Sequence, residues 1–170
     1  HTTYGFDILK HLARFGYVAK QLAYRLNAGP IITSINREVL STCLESKPDI
    51  LWLDNRVYLT YHTLSELRKR GTFVINVLTD DPYGIVKVGW QLTKHAASQV
   101  DIHFVQRAVN ISDFKSLGAN KVLECDRSFD LELHRPIELT DADRKRFESE
   151  ILFVGSWARH RADVLTELIA

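Results

Sequence analysis

The sequence has no methionine and holds only two cysteines, four prolines and eight glycines among its 170 residues. So little proline and glycine excludes collagen-like and low-complexity classes, and two cysteines exclude a small disulfide-bonded scaffold. An excess of charge of one sign is also missing, since the chain has 22 Lys and Arg and 21 Asp and Glu. This balance gives no global reason to expect nucleic acid as a partner. No apolar run approaches the roughly 18 residues that a membrane-spanning helix needs.

The missing methionine also predicts that the N-terminus of the translated chain has been lost. A helical pattern starts at Tyr4 with no strand before it, so we expect a strand upstream. Apolar residues run up to Ala170 without a stop signal, which predicts a second cut. Cys43 and Cys125 belong to no metal or redox cluster, so reduced thiols and a cytoplasmic location are expected.

Apolar periodicity predicts an α/β fold with a doubly wound, Rossmann-like parallel sheet. Ile50–Leu53 is a continuous apolar run of the kind that suits a parallel strand covered on both faces, and Trp52 is expected in the core. Further strands are predicted at 73–78, 102–105 and 121–125, with a weak candidate at 17–22. Helical spacing is found after Thr3 up to the glycine at position 16, after the caps at 33 and 34, and around positions 59–67, 88–96 and 111–117.

A change in composition divides the chain into three parts. Residues 1–125 read as a Rossmann-like N-terminal domain, and 126–149 as a charged linker with a helical turn near Thr140. Residues 150–170 read as the first strand and helix of a truncated second domain, with the strand at Ile151–Val154.

Ligands of open parallel sheets bind outside the carboxyl ends of the strands, which directs attention to the loops that follow them. Asp80 and Asp81 come just after the strand at 73–78. Such carboxylates can accept hydrogen bonds from sugar or ribose hydroxyls, or one can act as a base beside the other. Alternatively, Asp81 and Pro82 simply form a turn with a side-chain hydrogen bond.

Two other loops are weaker candidates for anion or hydroxyl binding. Asn55 and Arg56 follow the first strand and can hold a hydroxyl or phosphate, or form a solvated loop. Gly155 and Ser156 lie where a strand leads into a helix, a place that attracts phosphate, with Arg161 nearby. No metal site is predicted, because no histidines or carboxylates have ligand spacing. His103, inside a strand, and Trp90, on a helix, are expected to be packing residues.

The order of these motifs resembles that of the CgeB-like glycosyltransferases, a family named after a spore maturation protein. The matching segments are Lys47-Pro48-Asp49-Ile50, Val74 to Pro82, Asp101-Ile102-His103-Phe104, Leu117-Gly118-Ala119, His134-Arg135-Pro136, and Ile151 to Ser156 with Arg161 following. The resemblance covers most of the chain and implies the N-terminal half of a GT-B architecture, in which two Rossmann-like domains face a cleft.

The resemblance also implies roles. A nucleotide sugar would be the donor, a carbohydrate or glycoconjugate hydroxyl the acceptor, and neither metal nor other cofactor would be needed. Asp81, or Asp80 beside it, would orient or deprotonate the acceptor. The acceptor-side wall would include Asn55, Arg56 and Tyr83, and Thr3 and Gly5 would remain from a glycine-rich loop. The donor diphosphate would lie against Gly155 and Ser156, with Arg161 as charge partner. The 170 residues alone are expected to be inactive.

Two other function classes stay open. The first is a non-catalytic α/β module that binds a nucleotide or sugar or serves in an assembly. The second is a Rossmann-type enzyme with a nicotinamide or S-adenosyl cofactor, which is disfavoured because no GxGxxG motif follows a predicted strand.

Overall fold

The computed structural model describes residues 3–84, 88–150 and 152–169 and divides into two compact units, 1–128 and 129–170. The first unit contains, in chain order, α1 (Ile8–Leu12), α2 (Tyr17–Leu26), α3 (Pro30–Ser46), β1 (Ile50–Asp54), α4 (Tyr61–Lys69), β2 (Phe73–Leu78), α5 (Gln91–His95), a 3-10 turn (Ala97–Gln99), β3 (Ile102–Val105), α6 (Val109–Ser116) and β4 (Val122–Glu124). The second unit contains α7 (Asp141–Phe147) and α8 (Arg159–Ile169).

The strands form one all-parallel sheet in the order β1-β2-β3-β4. The four strands predicted at 50–53, 73–78, 102–105 and 121–125 are present, and helices flank them. The α/β class and the Rossmann-like parallel sheet are therefore confirmed. Since every strand runs the same way, all four carboxyl ends meet at one edge of the sheet.

One face of the sheet carries the core of the first unit. Leu51 pairs with Val74, Leu53 with Asn76, and Leu78 with Val105. The helices α3 and α4 contribute Ile31, Ile35 and Leu64 to the cluster around Val74, and α6 contributes Phe114 to the cluster around Leu78 and Val105. Burying these apolar side chains is the main stabilising contribution to the unit.

The opposite face of the sheet is more exposed, and two expectations about β1 are wrong there. Trp52 is 60% exposed and Ile50 is 57% exposed, so β1 is covered on one face and Trp52 lies outside the core. Phe73 on the neighbouring strand is also exposed. Period-2 alternation places every second side chain of a strand on the same face, and here both sets are apolar. An apolar run therefore could not show which face is covered.

The predicted weak strand at 17–22 is also wrong, because these residues begin α2. Aromatic and β-branched residues at positions 17 and 18 favour strands locally, but tertiary packing outweighs that preference. The helix buries Ala23 against the core. It ends at Asn27, whose backbone is left-handed and whose side-chain amide donates to the carbonyl oxygen of Ala23 at 3.0 Å.

The second unit agrees with part of the prediction. A helix does begin next to Thr140, where the hydroxyl accepts from the N–H of Asp143 and the Asp143 carboxylate accepts from the N–H of Thr140 in a capping box. Leu152–Val154, however, forms no strand, and Ile151 lies outside the described residues. A strand needs a neighbouring strand to fill its backbone hydrogen bonds, and the described residues of this unit include none.

Candidate functional site

Loops from all four strands meet at the carboxyl edge of the sheet in the first unit. Asn55 follows β1, Thr79 to Asp81 follow β2, Gln106 and Arg107 follow β3, and Cys125 follows β4. This is the edge at which the sequence predicts a ligand site.

Asn55 holds the first two loops together. Its backbone is left-handed, with φ of 60°, a conformation that asparagine adopts more readily than most residues. Its N–H donates to the carbonyl oxygen of Val77 at 2.7 Å. Its side-chain Nδ2 donates to Asp80 Oδ2 at 2.9 Å, and its Oδ1 accepts from the N–H of Asp80 at 3.4 Å. The Asn55 amide is thus engaged in positioning Asp80.

A buried polar pair lies beneath this loop. Asn76 donates through Nδ2 to the carbonyl oxygens of Leu53 at 3.1 Å and Asn55 at 3.0 Å. Its Oδ1 lies 3.3 Å from His103 Nδ1, and His103 Nε2 lies 3.0 Å from the carbonyl oxygen of Ala97. Burial lowers the pKa of His103, and the hydrogen bond to Ala97 opposes this only in part. His103 is therefore a packing residue, as predicted.

Asp81 is held by its own loop and by α6. Its Oδ1 accepts from the N–H of Tyr83 and from Asn110 Nδ2, both at 2.9 Å. The first of these bonds confirms the predicted side-chain turn. Burial is the largest single influence and opposes ionisation of Asp81. The bonds from Asn110 and Tyr83, the charge of Arg107 and the N–H of Gly84 together outweigh it, and the pKa of Asp81 is lowered.

The Tyr83 side chain lies near two charged residues, Lys94 and Asp113. Lys94 Nζ lies 3.9 Å from the centroid of the Tyr83 ring, which is a cation–π distance. Burial, and then the negative charge of Asp113, raise the pKa of the Tyr83 hydroxyl. Asp113 in turn accepts from Asn110 Nδ2 at 3.2 Å. Tyr83 therefore remains a neutral phenol at physiological pH.

Arg56 is placed differently from the other candidates of this edge. Its guanidinium carbon lies 4.8 Å from the centroid of the Tyr24 ring and 4.4 Å from that of the Trp90 ring. Its Nη1 is buried and has no hydrogen-bond partner in the structure as described. The guanidinium thus lies against two aromatic rings, and Trp90 is buried as predicted.

A polar crevice of about 330 Å³ lies at the carboxyl edge, and its lining includes the residue just before Asp80. It is lined by Thr79, Gln106, Arg107, Cys125, Asp126 and Arg127. A larger cavity of about 460 Å³ lies by Arg68, Thr72 and Phe73. That cavity is at the amino end of β2, away from the edge where parallel sheets bind ligands.

The remaining predicted residues lie elsewhere. In the second unit, Arg161 Nη1 donates to the carbonyl oxygen of Ser156 at 3.1 Å and to its Oγ at 3.3 Å. A Cβ built on Gly155 would lie 3.4 Å from that same Nη1, so these three residues are neighbours. Thr3 and Gly5 lie in an exposed segment before α1, and Gly5 has open space around it.

Sequence reasoning missed Asn110 and Lys94, which contact Asp81 and Tyr83. Asn110 is buried and lies on a helix whose other buried member is Phe114. The one signal in the sequence was an asparagine on a buried helix face. That signal could not identify Asp81, 29 residues earlier in the chain, as its partner.

Two findings on metals and membranes concern the residues that the structure describes, 3–84, 88–150 and 152–169. Among those residues no group of three or more His, Cys, Asp and Glu side chains could hold a metal ion. Within the same ranges no helix has the length and apolar character to cross a bilayer.

No protein-family model matches the chain, and no curated protein matches it. The resemblance to the CgeB-like glycosyltransferases therefore stays a prediction.

Proposed function

We propose that this chain carries the acceptor side of a glycosyltransferase that uses a nucleotide sugar. The observation that supports this most is the pair of carboxylates at the carboxyl edge. Asp80 is fixed by Asn55, and Asp81 by Asn110 and the N–H of Tyr83. Preorganised acceptors of this kind suit a sugar hydroxyl, which must be held in one orientation to attack.

The two carboxylates take different roles in this proposal. Asp81 has a lowered pKa, so it stays ionised at neutral pH and is a weak proton acceptor. It orients the acceptor hydroxyl by accepting its hydrogen bond. Asp80, whose side chain is exposed, removes the proton as the new bond forms.

In the reaction, the acceptor oxygen bonds to the anomeric carbon as that carbon's bond to the diphosphate oxygen breaks. The hydroxyl proton passes to Asp80, and the nucleoside diphosphate leaves with the bonding electrons. Gly155 and Ser156 would contact the diphosphate, with Arg161 offsetting its growing negative charge. Arg161 is already held beside Ser156 by two hydrogen bonds.

A second candidate is a non-catalytic module that binds a nucleotide or a sugar. It is favoured by the fact that Asp81 already bonds to Tyr83 and Asn110, as a purely structural turn residue would. The protein would then bind ligand without turning it over.

The test measures release of nucleoside diphosphate by the intact gene product from a panel of nucleotide sugars, with simple neutral and acidic sugars as acceptors. Asp81→Asn and Asp80→Asn are each expected to lower the rate by about 100-fold or more. Asp49→Asn is the matched control, because Asp49 is exposed at the amino end of β1. Wild-type rates in both edge variants would remove the assigned roles. Binding of a donor without any release would favour the second candidate.

A further inference from the structure

We infer that the crevice lined by Thr79, Gln106, Arg107, Cys125, Asp126 and Arg127 binds an anionic group, either a phosphate or a carboxylate. None of the roles above uses this crevice. Resting on the proposed function, the inference assigns the acceptor a class, namely a carbohydrate that carries an acidic group. Anion binding itself needs no transfer reaction and can be measured alone.

The first argument is that two cations share the crevice with one carboxylate. Arg107 and Arg127 both line it, together with Asp126. Within the described part of the chain neither arginine is within ion-pair distance of a carboxylate, whereas Arg68 is paired with Asp101 at 2.7 Å. Arg107 acts on the Asp81 carboxylate only from a longer distance. Two guanidinium groups in one crevice repel each other, and an anion between them removes that cost.

The second argument is that the crevice is organised for hydrogen bonding. Arg127 Nε donates to Gln106 Oε1 at 2.9 Å, which fixes the direction of the Arg127 guanidinium and leaves its two outer nitrogens for a ligand. Such paired N–H groups match the oxygens of a phosphate or carboxylate. Thr79, also a lining residue, carries a hydroxyl that can act as a further donor.

The third argument is position. Thr79 lies in the crevice lining and Asp81 follows two residues later on the same loop. Arg107 lies in the lining and precedes Asn110, which binds Asp81. An anion held here therefore brings the rest of its molecule to the loop that carries both carboxylates.

The larger cavity does not offer the same chemistry. Its arginine, Arg68, is paired with Asp101 Oδ1, and Asp101 Oδ2 accepts from the N–H of Val74 at 2.8 Å. That ion pair links α4 to the sheet, so its charge is already offset.

The test uses Cys125 as a reporter, because its thiol is partly exposed in the crevice lining. Alkylation by N-ethylmaleimide is followed at Cys125 and Cys43 by mass spectrometry, with inorganic phosphate or acetate added at constant ionic strength. Cys43 lies on α3 and serves as the internal reference. We expect phosphate, acetate or both to slow alkylation of Cys125 several-fold and to leave Cys43 unchanged. The more protective anion identifies the acid group.

Variants make the result specific. Arg107→Gln and Arg127→Gln are each expected to raise the anion concentration that gives half-protection by about tenfold, because each removes one charged contact. Arg37→Gln is the control, because Arg37 is exposed on α3, and it should protect like wild type. No protection by either anion, or equal protection after both arginines are replaced, would overturn the inference. Protection without turnover of any nucleotide sugar would leave the crevice assignment standing while the proposed function fails.

Discussion

Replacing Asn76 by alanine tests whether the buried amide holds β1 and the Asn55 loop in place. The side chain is fully buried, and Nδ2 donates to the carbonyl oxygens of Leu53 and Asn55. Its Oδ1 faces His103 Nδ1 at 3.3 Å. Removing the amide would take the donor from the two carbonyl oxygens and the partner from His103 Nδ1, while His103 Nε2 would keep its contact with the carbonyl oxygen of Ala97.

The magnitude follows from counting these bonds. Each hydrogen bond contributes about 1 kcal/mol net, and a buried partner left unsatisfied costs about 1–3 kcal/mol. We therefore expect Asn76→Ala to lower the free energy of unfolding by about 2–4 kcal/mol. The amide hydrogen of Asp80, which donates to Asn55 Oδ1, should also exchange faster, since Asn55 loses its anchor.

The assay is urea unfolding of the purified protein followed by circular dichroism. Asn120→Ala is the matched control, because Asn120 also donates to two backbone carbonyl oxygens, those of Ser98 and Val100, each at 3.3 Å. Asn120 is exposed, so water takes over its bonds and the expected change is below about 0.5 kcal/mol. A cost for Asn76→Ala no larger than that of Asn120→Ala would refute the reasoning.

Three further predictions concern pH, packing and backbone geometry. Because the pKa of His103 is lowered in the folded protein, the unfolded chain binds a proton below about pH 6.5 that the folded chain does not, and the free energy of unfolding falls as pH drops, by up to about 1.4 kcal/mol per pH unit. Between pH 7 and 5 the free energy of unfolding should therefore depend less on pH in His103→Gln than in wild type. The same pH dependence in both proteins would contradict this. Trp52→Thr should change the free energy of unfolding by less than about 1 kcal/mol, because Trp52 is 60% exposed. Leu64→Ala, at a core position, should lower it by about 2–5 kcal/mol. Equal shifts in melting temperature for the two variants would place Trp52 in the core after all. Gly89→Ala should lower the melting temperature more than Gly71→Ala, although both glycines have positive φ. A Cβ at position 89 would collide with the carbonyl oxygen of Tyr24 and lie 2.6 Å from Arg56 Nη1, whereas a Cβ at position 71 would meet open space. Similar melting temperatures for the two variants would argue against the close approach at Gly89.

Much of the fold could be predicted from the sequence because the strands are short apolar runs bounded by turn and helix signals. The run at 73–78 was predicted with the bounds that β2 has. Coverage was not predictable, since Trp52 and Leu53 are equally apolar and only the positions of the helices decide which one is buried. The helix at Tyr17–Leu26 was missed because local preference and long-range packing disagree there.

The candidate site was predictable only in part, for a related reason. The carboxyl-edge rule locates Asp80, Asp81 and Asn55 in neighbouring loops from strand order alone. The contacts that decide their chemistry join distant segments. Asn110 reaches back to Asp81, and Trp90 covers Arg56, and no periodic pattern in one segment reports a partner in another.

The stacking of Arg56 on Trp90 also gives the protein an optical reporter. The chain has three tryptophans, of which Trp52 is 60% exposed, Trp157 is 82% exposed and Trp90 is 3% exposed. A dissolved quencher such as iodide will therefore reach two indoles and spare the third. The fluorescence that remains in the presence of iodide therefore comes from Trp90, which contacts Arg56, itself packed on Tyr24 of α2. When α2 separates from these residues, iodide reaches Trp90 and the remaining fluorescence is lost.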